Sequence, residues 1–149
     1  MPTRIFRAST HWDAGEGPGT ASYKSYSREH KVAAAGKPDI ALTSALHGSA
    51  QQSPEDLLVA ALSSCHMLWY LHLCSDNGIV VVNYDDEAEG TMENAERGGK
   101  FSRVVLRPRV TSSKGDKKKA EALHHEAHRL CNIANSVNFP VDCEPTIES

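Results

Sequence analysis

The hydrophobic pattern has one dominant feature. From Leu57 to Leu73 the chain reads Leu57-Leu58-Val59-Ala60-Ala61-Leu62-Ser63-Ser64-Cys65-His66-Met67-Leu68-Trp69-Tyr70-Leu71-His72-Leu73, without a formal charge. At about 17 residues, and with Ser63, Ser64, His66 and His72 inside it, the run falls short of a membrane span and predicts a buried helix. Its start is written just upstream. Ser53 can N-cap, Pro54 suits the first helical position, and Glu55 and Asp56 put negative charge in the first turn, Asp56 at the capping-box spacing. Asn77-Gly78 supplies the stop. Apolar residues occupy every face of this helix rather than one stripe, so protein should cover it on all sides. Sheet can cover one side, and a partner subunit is the natural cover for the other, which predicts an obligate dimer.

The flanking segments read as sheet. Thr3 to Ser9 predicts a first strand, Gly15 to Gly19 a turn, Arg28 to Ala34 a second strand and Asp39 to Thr43 a short third. After the helix, the β-branched Ile79 to Tyr84 runs on through acidic residues to Met92, predicting one long strand with a solvated stretch. Gly98-Gly99 then turns into a strand from Phe101 to Val110. Beyond Lys114-Gly115-Asp116, the residues Ala120, Leu123, Ala127 and Leu130 recur at helical spacing with a polar remainder, predicting an amphipathic helix from Lys117 to Leu130. Pro140 ends any helical turn after Cys131, and Val141 to Pro145 reads as a closing strand. The order predicts an α+β class in one domain over residues 1–149, without repeats or long linkers.

Composition narrows the function. With 40% hydrophobic and 23% charged residues the chain is an ordinary globular sequence. A net charge of −3 gives no basic field for nucleic acid or an acidic membrane, and 6% aromatic residues are thin for a base-stacking surface. Neither partner is expected. The N-terminus Met1 to Phe6 lacks a secretory h-region, so a cytoplasmic protein is the expectation. There, the four cysteines Cys65, Cys74, Cys131 and Cys143 would be thiols, and any disulfide transient and catalytic.

Cys65 is the chemically unusual residue. A thiol inside an apolar helix is inert packing unless a cation from elsewhere ionises it. Two motifs turn the balance. The stretch Ser53-Pro54-Glu55-Asp56-Leu57 through Ser64-Cys65-His66 resembles the central-helix signature of the OsmC/Ohr family of thiol peroxidases, in its OsmC-like branch. Cys131-Asn132-Ile133-Ala134-Asn135-Ser136-Val137, about 66 residues later, is similar to that family's second cysteine motif, with Asn132 where many members have proline. The resemblance covers essentially the whole chain.

It implies an intertwined homodimer in which curved, mainly antiparallel sheets wrap a pair of central helices. It also implies reduction of organic hydroperoxides or hydrogen peroxide in oxidative-stress defence. Carried over by position, Cys65 matches the peroxidatic cysteine, Cys131 the resolving cysteine and Glu55 the acidic residue of the Pro-Glu motif. Arg28 is the candidate for the arginine that the family draws from an N-terminal strand. In that scheme Arg28 stabilises the thiolate and the departing alkoxide, and Glu55 holds the guanidinium. Cys65 becomes a sulfenic acid that Cys131 condenses to a disulfide, recycled by a small or lipoyl-type dithiol. No cofactor or metal is implied.

Helix geometry constrains this scheme. Glu55 and Cys65 lie roughly 15 Å apart along one helix, so a shared arginine calls for Glu55 of one subunit and Cys65 of the other. Cys74, roughly 13 Å from Cys65 on the same helix, reads as packing, and Cys143 as a half-buried spacer in the final strand. Other classes remain open. His124, His128 and Cys131 fall at i, i+4 and i+7 on one helix face with donor types suited to zinc, although the His-Glu-x-x-His pattern is absent. Acyl transfer by Cys65 with His66 is disfavoured, since adjacent residues diverge by about 100° around a helix. A non-catalytic dimer that holds an apolar ligand is the remaining alternative.

Overall fold

The computed structural model describes residues 2–47 and 50–149, which group into two compact units, Met1–Leu57 and Leu58–Ser149. The first unit holds a three-stranded antiparallel sheet in the order β1 (Ser9–His11), β2 (His30–Ala33), β3 (Ile40–Leu42). Gly15 and Gly19, at φ +58° and +62°, shape the β1–β2 connection, and the Gly15 amide donates to Asp13 Oδ1 at 2.8 Å. The strand expected over Thr3–Ser9 is corrected to Ser9–His11. Ser9 faces Ala33, the last residue of β2, so residues before Ser9 have no ladder to join. Ile5 and Phe6 are accordingly exposed.

The central helix α1 (Pro54–Asp76) begins in the first unit and continues through the second. Its start is a reciprocal capping box: the Ser53 amide donates to Asp56 Oδ2 at 2.9 Å and the Asp56 amide donates to Ser53 Oγ at 3.1 Å. At its end the Ile79 amide returns to the Cys74 carbonyl at 3.0 Å, and Gly78 takes φ +71°. By length and a mean hydropathy of 1.5 α1 would pass for a membrane span, but Leu62, His66, Tyr70 and Cys74 form a stripe packed into protein. The rest of the helix is not enclosed within one chain, and Leu68 is 61% exposed.

The second unit contains two more sheets, with orders β4-β7-β9 and β5-β6-β8, where β4 is Val80–Asp86, β5 Glu89–Glu93, β6 Lys100–Leu106, β7 Pro108–Lys114, β8 Val141–Cys143 and β9 Thr146–Glu148. The β4–β7 and β5–β6 pairs are antiparallel, whereas β8 joins β6 and β9 joins β7 in parallel. Two strands that the sequence predicts as continuous are therefore each broken in two, at Glu87-Ala88 and at Arg107, and the closing strand expected over Val141 to Pro145 stops at Cys143, with a further strand after Pro145. Pro108 and Pro145 lack the N–H that a continuous ladder needs. Arg107 stitches the seam: its amide donates to Asp86 Oδ1 at 2.7 Å and its Nε donates to Glu144 Oε1 at 3.2 Å.

Helix α2 (Lys117–Leu130) follows an Asp116 N-cap, whose Oδ1 accepts the Lys118 amide at 3.0 Å. Its buried residues are Ala120, His124 and Ala127, with Leu123 and Leu130 half-buried. The dry face expected from the spacing thus includes a histidine. Tyr70 joins the helices, donating from its hydroxyl to the Ala120 carbonyl at 2.8 Å, in a core with Cys74, Ile79, Val110, Ala127 and Ile147. Leu62, Phe101, Val104 and Leu106 form a second cluster.

Candidate functional site

Cys65 projects from the middle of α1 and is half-buried. Cys131 is the C-cap of α2, where ψ 113° takes the backbone out of the helix and the cap amide donates to the His128 carbonyl. A short 3-10 turn, Ala134–Ser136, follows. This cap turns the Cys131 sulfur inward, 1% exposed, where it accepts the Ala134 amide at 3.4 Å and neighbours Cys65.

Burial, and then the neighbouring Cys65 sulfur, push the Cys131 thiol up to about 11, against the opposing pull of the Ala134 amide. Cys131 therefore stays protonated at neutral pH, with its S–H available to the Cys65 sulfur. The pair has an accessible member and a sheltered one. The two sulfurs must close to ~2.05 Å to form a disulfide. Cys131 sits where a helix frays into a turn, a segment able to absorb that movement.

The other two candidates begin in the first unit. Arg28 lies in the loop before β2 rather than within a strand. Its guanidinium stacks over the Tyr26 ring at 3.9 Å and the Tyr23 ring at 4.6 Å, and Nη1 donates to the Tyr26 carbonyl at 2.9 Å. It lines a hollow of about 340 Å³ with Trp12, Tyr26, His30, Thr43 and Pro54. Glu55 is half-buried in the first turn of α1. Among the described residues, neither Arg28 nor Glu55 forms an ion pair within the chain.

The structure does not gather His124, His128 and Cys131 into one donor set. Helix α2 ends at Leu130, so the i+7 projection to Cys131 fails, and its sulfur turns to Cys65 instead. His124 points into the core, its Nδ1 3.0 Å from His66 Nε2, with Cys143 Sγ 3.8 Å from that same His66 nitrogen. One sign of this is legible in the spacing: His66 shares the four-residue period of Leu62, Tyr70 and Cys74, which marks it as facing inward. Cys74 is packed in the core beside Tyr70, as expected for a structural thiol.

A family model described as OsmC-like protein matches residues 47–146. The chain belongs to the OsmC-like family. No curated protein matches it. Among solved structures, an OsmC-like protein of unknown function from Vibrio cholerae O1 is 32% identical, with a TM-score of 0.87 over 96% of this chain and 99% of that one. An organic hydroperoxide resistance protein, OsmC, from Legionella pneumophila is 19% identical, with a TM-score of 0.71 over the full length of both chains. The organic hydroperoxide resistance protein OhrB of Bacillus subtilis is 17% identical, with a TM-score of 0.62 over 97% and 98%. The last two likenesses carry the OsmC-like fold alone. In this OsmC-like chain the α+β architecture unites the two cysteines across more than sixty residues of sequence, which makes the thiol pair the candidate reactive centre.

Proposed function

We propose that this OsmC-like protein is a thiol-dependent peroxidase for organic hydroperoxides, hydrogen peroxide or both. The observation that carries the proposal is that the half-buried Cys65 and the buried Cys131 are neighbours in the fold. Family membership supports it, as do relatives of this fold named for organic hydroperoxide resistance.

The Cys65 thiolate attacks the distal oxygen of the O–O bond, and the alkoxide leaves as alcohol after taking a proton. The sulfur is oxidised to sulfenic acid as the peroxide is reduced. Cys131 then attacks the sulfenic sulfur, giving the Cys65–Cys131 disulfide and water. A small or lipoyl-type dithiol returns both thiols by exchange.

Arg28 and Glu55 complete the site in a homodimer, with Glu55 of one subunit holding the arginine that serves Cys65 of the other. Two features support this arrangement. Their carboxylate and guanidinium are unpaired with each other in a single chain, and α1 leaves apolar surface such as Leu68 uncovered.

The decisive experiment is stepwise addition of cumene hydroperoxide, with thiol counting, to wild type, Cys65→Ser and Cys131→Ser. Wild type should lose two thiols per chain and form one intramolecular disulfide. Consumption of peroxide by Cys65→Ser at the wild-type rate would refute the proposal.

A further inference from the structure

A second cluster of donors lies in the core of the 58–149 unit and takes no part in the peroxidase scheme. His66 comes from α1, His124 from α2 and Cys143 from the end of β8. Their donor atoms, including His66 Nε2, His124 Nδ1 and Cys143 Sγ, all lie within 4.8 Å of one another. Among the described residues this is the group of three or more potential ligands that converges so closely.

The arrangement of the rings defines its present state. The two imidazoles are 2° from parallel with centroids 5.3 Å apart, and their facing nitrogens are 3.0 Å apart. Those values describe rings lying edge to edge in one plane and sharing a single N–H···N bond. Each ring then has a second nitrogen, His66 Nδ1 and His124 Nε2, that is buried and has no partner. Whichever tautomer forms, one of these outer atoms is an unsatisfied N–H and the other an unsatisfied lone pair. Native cores seldom leave such groups without a reason. The outer face of His124 is closed by Tyr70, whose ring stacks on it at 3.7 Å.

We infer that His66, His124 and Cys143 form a binding site for a zinc-class divalent cation. Zinc takes imidazole nitrogen at about 2.0–2.1 Å and thiolate sulfur at about 2.3 Å, so tetrahedral binding needs N···N near ~3.3 Å and N···S near ~3.6 Å. The observed 3.0 Å and 3.8 Å differ from these by a few tenths of an ångström. On loading, the shared proton moves to an outer nitrogen, so that both facing nitrogens present lone pairs, and the Cys143 thiol releases its proton to solvent. The two rings tip toward Cys143, because a tetrahedral ion sits off the line between their nitrogens.

The surroundings give the site access. A cavity of about 400 Å³ lined by Glu121, His125, His128 and Asp142 reaches His124 and Cys143, which opens an access path and leaves room for a water as fourth ligand. The donor set is borderline-soft, which favours zinc over magnesium or calcium. The ion would tie α1, α2 and β8 together one residue from Cys65.

The test uses the full-length protein, stripped with a chelator and dialysed against Zn²⁺ or Co²⁺. Wild type should retain one Zn²⁺ per chain through gel filtration and unfold at a higher temperature with zinc than without. Co²⁺ should give tetrahedral visible bands and a thiolate charge-transfer band. Cys143→Ser should lose the charge-transfer band, and His124→Gln should weaken binding at least about a hundredfold. Cys65→Ser/Cys131→Ser and His125→Ala/His128→Ala should bind as wild type does, which separates this site from the redox pair and from surface histidines. If wild type retains no zinc, or if Cys143→Ser and His124→Gln retain it as well as wild type does, the inference is overturned. Circular dichroism of each stripped variant shows that lost binding is not lost folding.

Discussion

The Cys131 sulfur reaches Cys65 from the C-cap of α2, so the second thiol is delivered by a helix end rather than by a helix face. A residue within α2 would be locked by the helix ladder. At the cap, its movement toward Cys65 costs only the weak 3.4 Å contact from the Ala134 amide and local rearrangement of the turn. The two cysteines should therefore fail differently. Cys65→Ser should lower peroxide consumption by at least about a thousandfold, as expected when a nucleophile is removed. Cys131→Ser should complete one fast turnover, stall, and accumulate sulfinic acid at Cys65, read by intact-protein mass spectrometry. Equal rates of overoxidation in wild type and Cys131→Ser would remove Cys131 from the resolving role.

Stability should fall in alkali through the same residue. The Cys131 thiol is raised to about 11 in the fold from an ordinary value of 9.0, so the native state holds the proton more tightly than the unfolded chain does. Its contribution is complete below pH ~9 and is lost as pH rises toward ~11. Urea midpoints measured over that interval should drop more steeply for wild type than for Cys131→Ala. The comparison isolates Cys131 from other alkaline groups such as Cys74, which burial also raises.

Tyr70 offers a graded test of the α1–α2 junction. Tyr70→Phe removes a buried hydrogen bond to the Ala120 carbonyl, while that carbonyl, in the first turn of α2, can keep its helical partner. The expected cost is about 1 kcal/mol, whereas Tyr70→Ala, which empties a fully buried ring site, should cost about 3–5 kcal/mol. Urea unfolding distinguishes the two, and equal costs would mean that the hydroxyl rather than the ring holds the helices together.

The sheet seam gives a contrast between exposed and backbone-linked charges. Arg107→Ala should cost less than about 1 kcal/mol, because its pairs with Glu89 and Glu144 are largely solvated. Asp86→Ala should cost about 1–3 kcal/mol. Its carboxylate accepts both the Arg107 amide at 2.7 Å and the Ser63 hydroxyl at 2.5 Å, and so ties α1 to the bend between β6 and β7. Reversal of this order in thermal unfolding would argue that side-chain ion pairs hold the seam.

What could be read from the chain and what could not divides along local and non-local physics. The limits of α1 were legible because Ser53, Asp56 and Gly78 act within one helical turn of the ends they define. The broken strands were not. Ile79 to Met92 has β-forming residues throughout, and its division depends on partners such as Arg107 that arrive from elsewhere in sequence. Thr3 to Ser9 failed for the same reason, since a strand needs a facing ladder and β2 ends at Ala33. The Cys65–Cys131 pair was legible only through a motif resemblance. The His66–His124–Cys143 convergence joins α1, α2 and β8, which no local pattern links.

Subunit mixing tests whether Glu55 serves Cys65 in trans. In a heterodimer of Cys65→Ser with Glu55→Ala, trans assembly leaves one site with both an intact Cys65 and an intact Glu55, whereas assembly in cis leaves none. Random exchange of equal amounts makes about half of the dimers mixed, so about a quarter of all sites should recover. The measurement is initial peroxide consumption after denaturation and co-refolding, against each variant refolded alone. Recovery near a quarter supports a shared site. With no recovery, and with mixed dimers shown to form by differential tagging, Glu55 and Cys65 do not meet across the dimer, and the trans arrangement is overturned.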